Sequence, residues 1–323
     1  MAIVKAALVG AWHVHGLDFA EKLISKPECE IVALWGKGED LARRLNCRRE
    51  ENYESILEAK DINSIILSCS TAQHEKMIIK AAQAGKHIFV EKSLAISNEA
   101  AYSIKDAVEA AEICFVMSDP VMKSPQMFAK RAIETGNLGI ITNVRICTVH
   151  DGAARGKMHS PFYKLEESGG GAMIDMGCKA VHILYQLLGR PEKAESMFWT
   201  YTSEGKENKI EENCVVCYQF PGGAIGIAEA GWYSPKYQFS MDIYGTKGSI
   251  CQRDDRIFVH MEKGSWEEIP QEKLPPAMEY PLEHWINSIK SGKKNCLYGV
   301  EEAVILTEMI TAAYRGTEGI IMV

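Results

Sequence analysis

Residues 8–16 read LVGAWHVHG and end a short apolar run. An apolar run that ends in glycine and leads into an amphipathic stretch, here Leu17 to Ser25, predicts a β-strand, a tight turn and a helix. Dinucleotide-binding folds place a Gly-x-Gly-x-x-Gly turn at this point. Gly10 fits the first position, whereas Trp12 and His15 occupy the second and third. The context therefore predicts a nucleotide-binding turn, and an ordinary strand-to-helix turn is the alternative.

The first 118 residues alternate short β-branched runs with helical patterns. The predicted strands are Val4 to Val9, Ile31 to Trp35, Ser64 to Ser68, His87 to Val90 and Ile113 to Met117. Amphipathic stretches such as Asp40 to Leu45 and Glu75 to Ala84 separate them. Continuous apolar strands that alternate with helices are typical of a parallel sheet covered on both faces. Residues 1–118 are therefore predicted to form a doubly wound α/β domain with its ligand at the carboxyl ends of the strands.

The pattern changes after Gly139, where strands dominate. They are predicted at Ile140 to Val149, Ala194 to Thr202, Asn213 to Phe220, Ala224 to Trp232, Gln238 to Tyr244 and Arg256 to Met261. Helices are predicted at Ala172 to Leu188, Pro281 to Ser291 and Val300 to Tyr314. This pattern indicates an α+β domain over residues 119–323, built on a large, mostly antiparallel sheet.

Length indicates the number of domains, and charge and hydropathy argue against a nucleic-acid-binding or membrane protein. At roughly 150 residues per domain, 323 residues predict two domains. Lys and Arg total 36 against 43 Asp and Glu, a formal charge of −7, so no broad cationic field is available for nucleic acid or an anionic membrane. No apolar run approaches the ~18 residues that a membrane span needs, and the N-terminal run lacks a cleavage pattern. We expect a soluble, cytoplasmic protein.

The ten cysteines are scattered, and only Cys214 and Cys217 lie close together. They fall in a strand-like stretch, in which residues three apart point to opposite faces. A zinc or redox CxxC site is therefore not expected. Buried free thiols in a reducing compartment fit the spacing better.

The end of the second predicted strand lacks the acid that usually binds the adenosine ribose. The sequence there reads Trp35-Gly36-Lys37. A carboxylate would repel a 2′-phosphate, whereas Gly36 leaves space for one and Lys37 could pair with it. The cofactor prediction is therefore NAD(P) with a slight lean to NADP. A solvated loop lysine is the alternative interpretation of Lys37.

Four further stretches carry a resemblance to a known family. They are SCSTAQH at 68–74, VEKSLA at 90–95, GNLGII at 136–141 and SGGGAMIDMG at 168–177. Together and in this order they resemble the Gfo/Idh/MocA family, the glucose-fructose oxidoreductase and inositol dehydrogenase group. The resemblance covers essentially the whole chain. It implies a Rossmann domain, a nicotinamide cofactor between the two domains, and a sheet domain that often forms an oligomer interface.

The resemblance implies hydride transfer between a nicotinamide and a carbinol carbon of a sugar, cyclitol or glycoside. The predicted partners are therefore a small polyol or sugar substrate and further copies of the chain, in a dimer or tetramer formed through the C-terminal sheet. Two alternatives stay open. One is a redox-neutral lyase or glycosidase that uses transient oxidation, and the other is a non-catalytic protein that binds a nucleotide or sugar.

The resemblance also carries over site residues. The predicted cofactor contacts are Gly10, Ala11, Trp12, His13, Val14, Trp35, Gly36, Lys37, Ser68, Cys69, Ser70, Thr71, His74, Glu91 and Lys92. Lys92 matches the lysine of the family's Glu-Lys-Pro motif, which contacts substrate and aids proton transfer. Ser93 replaces the proline, so the loop lacks its usual rigid turn.

Along the helix predicted at Ala172 to Leu188, Asp175, Lys179, His182 and Gln186 recur at i, i+4, i+7 and i+11. Such residues share one helix face, which must meet bulk water or a polar cavity. The family has Asp-x-x-x-His here, whereas Lys179 follows Asp175. We predict a proton relay of Lys92, Lys179 and His182 steered by Asp175, since a histidine can exchange protons near neutrality.

His150, His159 and Tyr163 lie where the family often lines its substrate pocket, and they are predicted substrate contacts. Imidazoles at His150, His159 and His182 could in principle bind zinc. No short ligand spacing supports such a site, so no metal is predicted.

Overall fold

The computed structural model describes residues 3–10, 12–13, 15–36, 39–118, 121–294 and 297–316. The chain forms two compact units. The first consists of Met1–Asp119, Glu166–Gly169 and Glu279–Thr307, and the second of Pro120–Leu165, Gly170–Met278 and Glu308–Val323. Two segments that follow the predicted boundary at 118 therefore return to the first unit.

The first unit is built on a six-stranded sheet. Its strands are β1 (Val4–Val9), β2 (Cys29–Trp35), β3 (Arg48–Arg49), β4 (Ser64–Leu67), β5 (His87–Glu91) and β6 (Phe115–Ser118). Every neighbouring pair is parallel, and the order is β3-β2-β1-β4-β5-β6. The predicted doubly wound sheet is confirmed. The order reverses between β1 and β4, which is where such sheets open a ligand crevice.

The second unit is built on an eight-stranded sheet. Its strands are β7 (Ile141–Val149), β8 (Lys193–Trp199), β9 (Asn213–Gln219), β10 (Ile225–Gly231), β11 (Gln238–Gly245), β12 (Gly248–Arg253), β13 (Arg256–Met261) and β14 (Glu267–Glu268). The order is β14-β13-β12-β11-β7-β10-β9-β8. Only β7 and β10 pair in parallel, so the predicted mostly antiparallel sheet is confirmed. Strand β12 and the short strands β3 and β14 were not predicted from the sequence.

Helices cover both sheets. They are α1 (His15–Ile24), α2 (Glu39–Arg44), α3 (Tyr53–Glu58), α4 (His74–Gln83), α5 (Asn98–Ala111), α6 (Ser124–Glu134), α7 (Leu165–Ser168), α8 (Cys178–Leu188), α9 (Ser203–Asn208), α10 (Pro281–Ser291) and α11 (Val300–Arg315). In α5 the cap is local, because the Ser97 hydroxyl accepts the Ala100 N–H. Among the residues described, no helix has the length and apolar character that crossing a membrane requires.

The long helix predicted at Ala172 to Leu188 has two parts. Met173–Gly177 forms a π-helical turn, and α8 continues from Cys178. The two parts pack on β7 and β10. The hydroxyl of Thr148 on β7 donates a hydrogen bond to the Met176 carbonyl at 2.8 Å, which holds the wide turn against the sheet. π-turns occur frequently at functional sites.

Strand β9 alternates buried and exposed residues, as a strand with one covered face does. Cys214 is buried and Cys217 exposed, so the predicted opposite orientation of this pair is confirmed. Burial raises the pKa of both thiols. The described cysteines are free thiols.

Candidate functional site

Three chain segments meet at glycines in the first unit. Gly10 has φ +79°, and its N–H donates to the Trp35 carbonyl at 2.9 Å. A Cβ added at Gly10 would lie 2.8 Å from the backbone nitrogen of Cys69, and one added at Gly36, φ +94°, would lie 3.1 Å from the Gly10 Cα. The carboxyl ends of β1, β2 and β4 therefore approach one another more closely than a side chain allows. This approach is typical of a nucleotide-binding edge.

Because Gly16 has no side chain, α1 can pack closely against the end of β4. A Cβ added there would lie 2.3 Å from the Ser68 hydroxyl oxygen. His15 was predicted at this packing position, but α1 begins at His15 and its glycine follows one residue later. The nucleotide turn is thus one residue longer than the predicted pattern.

Trp12 contributes its indole to the turn. Its backbone N–H donates to the Ser68 carbonyl at 2.9 Å, and its Nε1–H donates to the Glu167 carboxylate at 2.6 Å. Glu167 belongs to a segment of the first unit that lies far away in sequence. Three other predicted cofactor contacts, Ala11, Val14 and Lys37, lie outside the described residues.

The segment after β4 buries the hydroxyl-bearing residues Ser68, Ser70 and Thr71. Burial raises the pKa of the neighbouring Cys69 thiol to about 12, so this thiol is neutral at physiological pH. Trp35, at the end of β2, packs its ring 5.8 Å from that of Tyr53. These predicted contacts lie at the carboxyl edge of one sheet, where the strands end.

His74 holds the loop that follows Lys92. Its Nδ1 lies 3.0 Å from the carbonyl oxygens of both Ser93 and Leu94. Because carbonyls only accept hydrogen bonds, Nδ1 carries the ring proton. Burial lowers the pKa of His74, so the ring is neutral. His74 therefore shapes the loop beside Lys92, whose peptide bond to Ser93 is cis.

Glu91, next to Lys92, is a buried carboxylate among cationic or potentially cationic groups. Burial by itself raises its pKa, but His13, His15 and Lys92 reverse the effect and lower the pKa overall. The Glu91 carboxylate oxygen lies 3.4 Å from His15 Nδ1 and 3.8 Å from His13 Nε2. Glu91 is therefore ionised near neutrality and adds negative charge next to Lys92.

His13, His15 and Glu91 also form the one group of potential metal ligands found among the described residues, with ligand atoms within 4.8 Å of one another. The His15 backbone N–H points at His13 Nδ1, at 3.3 Å. This contact places the ring proton of neutral His13 on Nε2, the atom that faces Glu91. A protonated ring nitrogen cannot bind a cation. The group is therefore better described as a carboxylate between two imidazoles.

In the second unit, Asp175 lies in the π-turn and faces two ring N–H groups. Trp232 Nε1–H donates to Asp175 Oδ2 at 2.9 Å, and His150 Nε2 lies 3.7 Å from the same oxygen. His150 Nδ1 accepts the Gly152 N–H at 2.9 Å. The predicted catalytic aspartate and one predicted substrate contact are thus brought together.

The glycine run before the π-turn lies against protein. The buried Glu211 carboxylate accepts the N–H groups of Gly171 and Met173, at 2.9 Å each, and the Tyr314 hydroxyl at 2.8 Å. A Cβ added at Gly171 would lie 2.0 Å from the Glu211 carbonyl oxygen. Burial raises the pKa of Glu211. Glu211 anchors the start of the turn that carries Asp175.

The predicted polar stripe requires a correction at His182. Its side chain is fully buried, and burial lowers its pKa to about 4. It is therefore uncharged near neutrality, contrary to the predicted proton exchange there. Lys179 is only partly buried, and its Nζ lies 3.5 Å from the Met176 sulfur. The π-turn widens the helix between Asp175 and Lys179, so a 3.6-residue period does not describe the whole stretch.

Tyr163 also differs from its prediction as a substrate contact. Its buried hydroxyl donates to Glu212 at 2.7 Å, and its ring packs edge-on against Trp232 at 5.8 Å. Tyr163 therefore packs against Trp232 and helps to hold its indole in place. His159 is exposed beside Phe162. In the described part of the chain, His150, His159 and His182 do not come together as a metal site.

Sequence reasoning missed four residues that shape these sites: Gly16, Glu211, Glu212 and Trp232. Glu212 accepts the N–H groups of Tyr201 and Thr202 at 2.7 and 2.8 Å, in addition to its bond from Tyr163. The sequence did contain one signal for Glu211 and Glu212. Two adjacent carboxylates lie immediately before a strand with buried positions, and buried carboxylates need hydrogen-bond partners. Their partners are remote in sequence and could not be inferred from it.

The protein comparisons agree with both units. Residues 4–118 match the family model described as "Oxidoreductase family, NAD-binding Rossmann fold", and residues 127–251 match the "GFO/IDH/MocA C-terminal domain". The chain is 28% identical to scyllo-inositol 2-dehydrogenase (NAD(+)) of Bacillus subtilis (strain 168), over 96% of this chain and 93% of that protein.

A second relative is named for a different activity. The chain is 26% identical to 2,7-anhydro-N-acetylneuraminate hydratase of Escherichia coli (strain K12), over 73% of this chain and 64% of that protein. Among solved structures, levoglucosan dehydrogenase in complex with NADH and L-sorbose has a TM-score of 0.82 at 19% identity, covering 98% of this chain and 97% of that one. The two family models together match well over half of the residues, and the chain belongs to the Gfo/Idh/MocA family of oxidoreductases.

Proposed function

We propose that the protein is an NAD(P)-dependent dehydrogenase that oxidises or reduces a carbinol carbon of a cyclitol or sugar. The observation that carries this proposal is Lys92, a lysine only 9% exposed at the carboxyl end of β5 and next to the ionised Glu91. Family membership and the inositol dehydrogenase relative support the substrate class. A buried lysine beside a nucleotide-binding edge is suited to proton transfer with a hydroxyl.

The first unit fits a dinucleotide. Gly10, Gly16 and Gly36 each occupy a position at which a Cβ would collide with neighbouring atoms or require a strained backbone. Close backbone approach is what a pyrophosphate and its helix–strand platform require. The residues proposed to hold the group are Gly10 and the buried hydroxyls of Ser70 and Thr71. When bound, a nicotinamide supplies a hydride acceptor or donor.

The protein's own residues have separate tasks. As a neutral amine, Lys92 takes the proton from the reacting hydroxyl in oxidation, and as the resulting ammonium it returns the proton in reduction. Glu91 balances the charge of Lys92, and His74 holds the loop that follows it. Asp175 accepts a hydrogen bond from a substrate hydroxyl.

A substrate panel tests the proposal. Purified protein is mixed with NAD+ or NADP+ and with inositols or anhydrosugars, and formation of the reduced cofactor is followed by absorbance. On the substrate found, Lys92→Ala should lower turnover by about 100-fold or more, the scale of one positioned proton-transfer group. Lys76→Ala, at an exposed lysine of α4, is the matched control and should change turnover little. A loss below threefold for Lys92→Ala would exclude Lys92 as the proton-transfer group.

Cofactor preference is a finer part of the proposal. Gly36 has φ +94° and lies against Gly10, so the turn itself requires glycine. The lean to NADP therefore depends on the missing acid and on Lys37. We expect NADPH to bind at least as tightly as NADH when each is titrated against tryptophan fluorescence, and Lys37→Ala to weaken only NADPH. A tenfold preference for NADH, ~1.4 kcal/mol, would contradict this expectation.

A redox-neutral reaction is the second candidate, and the similarity to 2,7-anhydro-N-acetylneuraminate hydratase favours it. Stoichiometry separates the two candidates. A dehydrogenase forms one reduced cofactor for each product molecule, whereas a redox-neutral enzyme forms product without net reduction of added cofactor.

The predicted homo-oligomer stays a prediction. Its support is one face of the second sheet, where Met197 is 67% exposed and lies opposite Val215, 37% exposed, on the neighbouring strand. Trp199, two residues further along the first of these strands, is 49% exposed. Contiguous exposed apolar side chains often mark protein–protein contacts.

A further inference from the structure

Two ring nitrogens lie near the same oxygen of the Asp175 carboxylate, and one of them is within hydrogen-bond distance. Trp232 Nε1–H donates to Oδ2 at 2.9 Å, and His150 Nε2 lies 3.7 Å from it. The side chain of Asp175 is 13% exposed and that of His150 22% exposed. Neutral donors that converge on one oxygen fix the plane of a carboxylate, and hydrogen bonds to a charged acceptor are stronger than neutral ones.

Trp232 is itself tightly held. Its indole is fully buried, and the rings of Phe162 and Tyr163 pack edge-on against it at 6.3 and 5.8 Å. Its backbone N–H donates to the Glu212 carbonyl at 2.8 Å. The indole N–H therefore has a fixed direction, and Asp175 Oδ2 must come to it.

The tautomer of His150 follows from its backbone contact. The Gly152 N–H points at Nδ1 from 2.9 Å, so this nitrogen accepts a hydrogen bond and carries no proton. The proton of the neutral ring is therefore on Nε2, the atom that faces Asp175. In this tautomer the ring has no remaining lone pair with which to take a proton from a substrate.

We propose that His150 is a positioning residue whose neutral Nε2–H, together with Trp232, orients Asp175 toward the substrate. This inference replaces the substrate contact predicted for His150 and rests on the proposed function. Among the described titratable side chains, Asp175 is the one within ion-pair distance of the His150 ring. The 3.7 Å separation fits a contact that tightens when substrate binds, as catalytic hydrogen bonds often do.

Two substitutions at His150 separate a donor from an acid or base. In His150→Gln the amide Nε2 keeps a neutral N–H donor but cannot titrate, whereas His150→Leu removes the donor at similar volume. A positioning role predicts that His150→Gln keeps kcat within about fivefold, with an unchanged pH profile of kcat. His150→Leu and Trp232→Phe should each lower kcat by tenfold or more with a smaller change in KM.

The opposite pattern would overturn the proposal. If His150 is an acid or base, His150→Gln loses as much kcat as His150→Leu, and one limb of the profile between about pH 5 and 8, where imidazoles titrate, disappears. Should His150→Leu fail to fold, the result for His150→Gln decides between the two roles.

A measurement without substrate keeps this inference separate from the proposed function. Long-range proton–nitrogen NMR spectra of the unliganded protein should show the Nε2–H tautomer for His150. The Nδ1–H tautomer would overturn the inference even if the enzyme is active. If no substrate in the panel turns over while the Nε2–H tautomer is seen, the proposed function fails and the arrangement of His150 still stands.

Discussion

Two glycine-containing turns lead into helices in this protein, and they are held in different ways. The turn from β1 into α1 is fixed by backbone approach, since Gly10 and Gly16 lie where a Cβ would collide with residues 68 and 69. The turn into α8 is fixed by a side chain, since Glu211 accepts the N–H groups of Gly171 and Met173. The first turn is built from the ends of adjacent parallel strands. The second depends on a carboxylate some 40 residues later in the chain.

The comparison shows why the two turns are suited to different tasks. Glycines at the points of closest approach in the first turn leave space for backbone N–H groups to meet a phosphate ligand. A turn tied to a buried carboxylate aims one side chain, here Asp175, at a fixed point. Substitutions in the first turn should therefore impair cofactor binding, whereas those in the second should affect stability and positioning and leave cofactor binding intact.

The largest effect is expected for Gly10→Ala. It combines a φ of +79°, which costs about 1–2 kcal/mol for a residue with a Cβ, with a 2.8 Å collision with the Cys69 backbone. We expect loss of measurable NADH binding and a free energy of unfolding lowered by several kcal/mol. Fluorescence titration and urea unfolding measure the two effects.

Gly85→Ala is the matched control for Gly10→Ala. Gly85 also has a positive φ, +69°, but a Cβ there would meet nothing within 4 Å. It should cost only the backbone strain of about 1–2 kcal/mol and leave NADH binding intact. Equal losses for the two variants would show that the close approach at Gly10 has no role.

A somewhat smaller effect is expected for Glu211→Ala. It leaves the Gly171 and Met173 N–H groups and the Tyr314 hydroxyl without their acceptor. Each buried unsatisfied group costs about 1–3 kcal/mol, partly offset by not burying a carboxylate. We expect the free energy of unfolding to fall by about 2–5 kcal/mol in urea titrations at pH 7, with NADH binding retained.

Glu211→Gln keeps an acceptor oxygen and should recover most of this loss. If Glu211→Ala abolished NADH binding as Gly10→Ala is expected to do, the two turns would not have separate tasks. If it were as stable as the wild type, Glu211 would not anchor the second turn.

His182 should make a smaller contribution to the free energy of unfolding, and this contribution should depend on pH. The unfolded imidazole takes up a proton as the pH falls below about 6.5, whereas in the folded protein burial lowers the pKa to about 4. Between these values the unfolded state binds more protons, so the free energy of unfolding falls as the pH falls. The slope is about 1.4 kcal/mol per pH unit, about 3 kcal/mol in all, and no contribution remains above pH 6.5.

His182→Leu should make this dependence shallower, as measured by urea unfolding at several values from pH 4.5 to 7, and leave the share of His74, whose pKa is also lowered by burial. His159→Leu, at an exposed histidine of the same unit, is the control and should follow the wild type. A slope in His182→Leu equal to that of the wild type would contradict a lowered pKa for His182 in the folded protein.

Much of the fold could be predicted because local patterns carry it. The first strand was placed with its observed bounds, Val4–Val9, because a continuous apolar run closed by Gly10 has few other interpretations. Strand β12 was missed because it follows the turn after β11 directly and has a weak alternation of its own. Two segments beyond residue 165 also belong to the first unit. The sequence pattern did not predict this, because periodicity does not show to which domain a later segment returns.

For the candidate site, the sequence by itself determined which residues stand at strand ends. Gly10 was selected from its turn and Asp175 from its polar helix stripe, both of which are local features, whereas Lys92 was selected because its loop resembles the family's Glu-Lys-Pro motif. Only the tertiary structure decided what these residues meet. It buried His182 and placed the Trp232 indole N–H and the His150 ring beside Asp175. The physical reason is that burial and hydrogen-bond partners depend on segments distant in sequence, whereas turn geometry and periodicity depend on neighbours along the chain.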